Sequence, residues 1–207
     1  MKKGLIIALS TIGGLLLAST ISLLICGAKW GIPPFGFLKE VRLKNMKGNS
    51  NIYDLEKVET LEDSILKDKT ILCLGSSVTS GASSLGISFV DYLGKRNKCI
   101  TIKEAVSGTT LVDNGNNSYV SRLKKVNKDQ KIDLFICQLS TNDATKNYPL
   151  GALDSDTSTV LGSISYIVDY VKTNFDCPIM FYTNSYYESE PYSNMVKSLN
   201  EGKNTLG

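Results

Sequence analysis

Thr70-Ile71-Leu72-Cys73-Leu74 runs directly into Gly75-Ser76-Ser77-Val78-Thr79-Ser80-Gly81. A short apolar run closed by a glycine and serine turn reads as a buried strand. Behind the turn, residues 87–93, with Lys95 and Arg96 after them, carry helical spacing. The alternation then continues. Residues 99–102 read as a second strand, 119–126 as a helix, 132–139 (IDLFICQL) as a third strand, 160–171 as a second clear helix and 178–182 as a fourth strand, with a further helix after it. Continuous apolar strands separated by helices predict an α/β domain of three layers, α/β/α, around a parallel sheet with right-handed crossovers. Ahead of the first strand, Leu55, Val58, Leu61, Ile65 and Leu66 fall near helical spacing and predict a short amphipathic helix.

The 207 residues allow one domain of ordinary size and a short appendage. Twenty-three basic against 20 acidic residues leave +3, which gives no reason to expect nucleic acid as a partner. The chain has no histidine, which excludes histidine zinc sites and a complete Ser-His-Asp set within it. Cys26, Cys73, Cys99, Cys137 and Cys177 are odd in number and widely spread, so they read as packed thiols rather than as a disulfide framework.

Residues 4–28 carry no charge and would make a helix about 37 Å long, enough to span a bilayer. Lys2 and Lys3 ahead of it suit a cytoplasmic N-terminus. The expectation is a single pass in the cell membrane with the following domain on the extracytoplasmic side. A cleaved signal peptide ending near Cys26-Gly27-Ala28 is the rival reading, and it exports the same domain. Residues 29–53, with Pro33-Pro34, three glycines and no sustained apolar period, read as a juxtamembrane linker. The organisation expected is an anchor over 1–28, a linker over 29–53 and a domain over 54–207.

In parallel sheets the ligand site lies beyond the carboxyl ends of the strands. Those positions are Gly75 to Gly81, Ala105-Val106-Ser107-Gly108-Thr109-Thr110, Ser140-Thr141-Asn142-Asp143 and Thr183-Asn184-Ser185. Hydroxyls, glycines and an amide suit acyl transfer better than metal or phosphate chemistry. A phosphate loop fails because Gly81 is followed by Ala82, not lysine. Ser77, at a strand-to-helix turn, can present its hydroxyl as a nucleophile. Gly108 is a turn glycine or a bare backbone N–H donor. Asn142 is a helix cap or an oxyanion donor.

Taken together, these three loops resemble the motifs of the SGNH/GDSL hydrolase family, whose Gly-Asp-Ser-Leu-Thr-x-Gly stands here as Gly75-Ser76-Ser77-Val78-Thr79-Ser80-Gly81. The resemblance implies the flavodoxin-like SGNH fold, Ser77 as nucleophile and as an oxyanion donor through its N–H, and Gly108 and Asn142 as the remaining donors. It implies no cofactor and no metal, and substrates that are ester-bearing small molecules, lipids or acylated carbohydrates. Ser76 replaces the usual Asp, and Ser140 the usual Gly of Gly-x-Asn-Asp. The family's fifth strand and Asp-x-x-His segment have no counterpart up to Gly207, so the expectation is a C-terminally incomplete and catalytically impaired ester hydrolase. Asp143 and Glu188 are the carboxylates nearest to hand as substitute bases. The other readings are a non-catalytic surface module that keeps the cleft, and a weak hydrolase using such a carboxylate.

Overall fold

The structure, a computed structural model, describes residues 2–115 and 117–202. The chain divides into two compact units, Met1–Asp54 and Leu55–Gly207.

The first unit holds α1 (Lys2–Trp30) and α2 (Phe37–Lys44). Within α1, Leu9–Trp30 has a mean hydropathy of 2.0 and is the one helix among the described residues long and apolar enough to cross a membrane. Helix α2 lies where the composition reads as linker. Its FLKEVRLK is a run of good helix formers, but eight residues beside Pro33-Pro34 are too few to show a period.

The second unit is built on β1 (Thr70–Gly75), β2 (Ile100–Ala105), β3 (Leu134–Gln138) and β4 (Ile179–Tyr182), all parallel in the order β2-β1-β3-β4. Between and after them run α3 (Ser77–Ser80), α4 (Phe89–Asn97), α5 (Tyr119–Leu123), α6 (Thr141–Thr145), α7 (Val160–Asn174) and α8 (Glu190–Gly202). Strand β1 is buried on both faces, and its side chains divide the core. Ile71 and Cys73 pack with Val90 and Leu93 of α4, whereas Leu72 and Leu74 join Leu123 of α5, Ile164 and Ile167 of α7 and Met195 and Leu199 of α8. Each such side chain withdrawn from water contributes about 1.5–3 kcal/mol. The parallel three-layer α/β expectation holds.

Helix α4 starts where its cap dictates. Ser88 Oγ accepts the Val90 N–H at 3.3 Å, and Asp91 reaches back to the Ser88 N–H at 2.7 Å, a capping box that sets the first turn. The amphipathic helix expected over residues 55–66 does not form. Leu55–Lys57 makes one 3-10 turn, and the N–H groups that follow go partly to α4 and partly to local turns. Leu61 donates to the Arg96 carbonyl at 2.7 Å, Asp68 to that of Lys98 at 3.0 Å, and Leu66 to Ser64 Oγ at 3.1 Å. With Leu61 and Asp68 held by the end of α4 and Leu66 by the Ser64 hydroxyl, these donors cannot feed an i−4 ladder. Leu66 packs into the core, and Leu61 and Ile65 remain exposed.

Candidate functional site

The register Gly75↔Ala105 and Leu74↔Cys137 puts the carboxyl ends of three strands side by side, with β1 in the middle. The loop after β1 is the most tightly determined. A Cβ at Gly75 would sit 1.7 Å from Thr79 Oγ1, so only glycine lets the strand turn straight into α3. The Gly75 carbonyl accepts from the Val106 N–H at 3.3 Å and from Arg122 Nη2 at 2.8 Å. Ser76 is buried and Ser77, the first residue of α3, is half-buried. Helix α3 closes at Gly81, whose φ of +72° belongs to the left-handed region.

The loop after β2 turns at Gly108 with φ +80° and open space where a side chain would be, so backbone conformation alone calls for glycine there. Among the described residues neither the Ser77 nor the Gly108 N–H has a hydrogen-bond acceptor. The loop after β3 joins this one directly. Asn142 Nδ2 donates to the Thr109 carbonyl at 2.8 Å, and Ser140 Oγ donates to the same oxygen at 3.1 Å. Ser140 also caps α6 by accepting the Asn142 N–H at 3.0 Å, and Lys146 Nζ reaches the Gly108 carbonyl at 3.1 Å. The structure thus gathers the three loops, and one of the two Asn142 amide hydrogens stays free of the Thr109 bond.

The fold has counterparts among solved structures. No protein-family model and no curated protein matches the sequence. A protein from Lactobacillus plantarum superposes with a TM-score of 0.55 at 18% identity, over 65% of this chain and 74% of its own. A protein described as lipolytic and of the G-D-S-L family, from Desulfitobacterium hafniense DCB-2, does so with a TM-score of 0.52 at 18% identity, over 66% and 73%. This is a GDSL-type hydrolase fold.

Around the loops of this GDSL-type fold lies a buried polar frame that the sequence does not announce. Gln138, the last residue of β3, accepts at Oε1 from the Ser76 N–H at 2.9 Å and from Thr79 Oγ1 at 2.7 Å. Its Nε2 donates to Asn184 Oδ1 at 2.7 Å, Tyr182 OH shares a 2.6 Å hydrogen bond with Thr79 Oγ1, and Tyr192 OH donates to the Leu139 carbonyl at 3.2 Å. On the other side Arg122 is buried, bonds the carbonyls of Gly75, Glu104 and Asn117, and lies 3.3 Å from Thr109 Oγ1. Burial pulls its guanidinium below the usual arginine range. A polar residue closing an apolar strand, and an arginine inside the apolar 119–123 pattern, were the available signals.

The two candidate substitute bases fare differently. Asp143 is buried, and its oxygens accept the Leu111 and Val112 N–H groups at 3.0 Å each. Burial pushes its pKa up to about 6 against those two bonds. It braces the chain after the Gly108 turn, with both oxygens committed away from a proton-transfer role. Glu188 stands exposed in the loop after β4. All five thiols are free, and burial pushes Cys73 up to about 12, which keeps it an inert core group. Among the described residues no three His, Cys, Asp or Glu side chains cluster as a metal would require.

Proposed function

We propose that Leu55–Gly207 is a serine ester hydrolase unit of SGNH/GDSL type, anchored by α1 as a single pass in the cell membrane with the unit on the extracytoplasmic side. Its substrates carry an ester on a small molecule, a lipid or an acylated carbohydrate. The observation that carries the reading is the 2.8 Å bond from Asn142 Nδ2 to the Thr109 carbonyl, which joins the Asn142 and Gly108 loops beside the strand that delivers Ser77. The fold shared with the Desulfitobacterium protein supports it.

In this reading Ser77 Oγ attacks the ester carbonyl carbon, and the carbonyl oxygen becomes an oxyanion facing the Ser77 and Gly108 N–H groups and the second Asn142 amide hydrogen. Collapse expels the alcohol and leaves an acyl-serine, which water hydrolyses. The serine proton must pass to a base and on to the alcohol. Residues 1–207 contain no histidine, and Asp143 is committed to backbone donors, so turnover by these residues is slow.

Hydrolysis of p-nitrophenyl acetate tests this. The expected rate is Ser77-dependent and no more than about 10³–10⁴-fold above water, the residue left to serine hydrolases that have lost a triad member. N142A should lower it about 100-fold. A measurable rate unchanged in S77A overturns the assignment. The lack of histidine also favours a second reading, a non-catalytic surface module. Saturable binding of the ester with no turnover at all would select it.

A further inference from the structure

The end of α1 carries a second feature suited to lipid. The chain turns at Gly31, φ +77°, and comes back against the helix it has just left: a Cβ at Gly27 would lie 2.5 Å from Phe35 Cβ, and one at Gly36 2.5 Å from the Gly31 carbonyl oxygen. Glycine alone permits that approach. Helix α2 therefore begins beside the last turn of α1, where the apolar stretch ends. On a helix that crosses a bilayer, that is the level of the headgroups.

Large apolar side chains stand in the open around this turn, Trp30 at 57%, Ile32 at 44%, Phe37 at 60% and Val41 at 50% exposure. Phe37 and Val41 lie one turn apart on a single face of α2, and Leu43, on another face, is buried. Among them are Lys29, Lys39, Arg42, Lys44 and Lys47 against one acid, Glu40. That acid is occupied by Lys44 at 2.8 Å. Lys29 Nζ lies 4.8 Å from the centre of the Trp30 ring, an aromatic and cationic pair at the end of the apolar span. Exposed apolar and aromatic groups among cations complement the acyl boundary and the phosphate layer of an anionic membrane.

We infer that residues 29–47 form an interfacial hairpin that docks on an anionic lipid surface, so that the chain holds the membrane through an in-plane cationic contact as well as through a span. The inference rests on the proposed insertion of α1. With the hairpin docked, Phe37 and Val41 enter the acyl boundary while Lys39, Arg42 and Lys44 remain among the phosphates.

Trp30 is the only tryptophan of the chain, so W30F/V41W moves the sole indole to the exposed face of α2. The full-length reporter protein is reconstituted in vesicles of phosphatidylcholine, with or without phosphatidylglycerol. With phosphatidylglycerol, the emission is expected to shift to the blue, to be quenched by lipids brominated near the headgroup and to be shielded from acrylamide. That shielding should be lost in phosphatidylcholine alone and weakened by salt. Adding K39Q, R42Q and K44Q should weaken the docked state about 100-fold, at about fivefold for each basic residue. An indole equally open to acrylamide in both vesicle types, in a protein that resists alkaline carbonate extraction, overturns the hairpin and leaves the span standing. Release by carbonate overturns the span, and the hairpin with it.

Discussion

The Thr79 hydroxyl donates to Gln138 Oε1 at 2.7 Å, and through that contact a residue of β3 fixes the turn that presents Ser77 on β1's side of the sheet. The same oxygen accepts the Ser76 N–H, so one buried amide closes two donors at the start of α3. Gln138→Leu keeps the volume, strands the buried Ser76 N–H and leaves the Thr79 hydroxyl with Tyr182 OH alone. The expected loss is about 2–4 kcal/mol, read from the midpoint of urea unfolding. A loss below about 0.5 kcal/mol would mean that the turn holds itself without Gln138.

Arg122 links the ends of β1 and β2 to the chain before α5, with donors on the carbonyls of Gly75, Glu104 and Asn117. Its planar fork serves several acceptors at once, which a lysine ammonium cannot do from one point. R122M should cost about 3 kcal/mol, because it strands buried carbonyls, and R122K should recover less than half of that. Equal stability of R122K and the parent protein in the same urea titration would contradict the fork argument.

The parts legible in the sequence are those that local pattern decides. Leu72 and Leu74 sit in an unbroken apolar run, which is what a strand covered on both faces requires, and the residues just beyond such strands had to be the loops at the sheet's carboxyl edge. The gathering of the Ser77, Gly108 and Asn142 loops follows from that. Gln138 and Arg122 stayed hidden because their partners are remote in the chain, and nothing in a single polar residue distinguishes a buried brace from a solvated one. Residues 55–66 failed for a related reason. Their spacing suits a helix, but spacing does not show that α4's last carbonyls will take the N–H groups of Leu61 and Asp68.

Asp143 gives a pH dependence whose sign is unusual for a carboxylate. Burial raises its folded pKa to about 6, above the unfolded value of about 3.9, so between those limits the folded state binds more protons than the unfolded one. Its contribution is present in full below the lower value and is lost as pH rises through the upper one. The difference in unfolding free energy between the parent protein and D143N, in which nothing titrates at this position, should fall by about 3 kcal/mol from pH 3.5 to pH 7. Taking the difference cancels the other groups. A flat or rising difference would mean that the Leu111 and Val112 N–H bonds, not burial, control the group.

If Ser77 faces a formed oxyanion site and lacks only a proton acceptor, a small base from solution should supply one. Ser77 is half-buried rather than enclosed, and imidazole is small enough to probe its hydroxyl from solution. Imidazole titrates near pH 7, so about half of it is neutral there, and its pKa suits taking a serine proton, unlike that of an ordinary carboxylate near 4. Hydrolysis of p-nitrophenyl acetate should therefore rise with added imidazole beyond imidazole's own background rate. S77A should abolish the excess entirely, and N142A should reduce it about 100-fold, because the oxyanion donor is needed whichever base acts. The rescue should follow the neutral fraction of imidazole as pH is varied through about 7. An excess rate that survives in S77A would place the chemistry elsewhere. No excess in the parent protein, with the ester still bound, would show that the missing base is not what limits Ser77 and would favour the non-catalytic module.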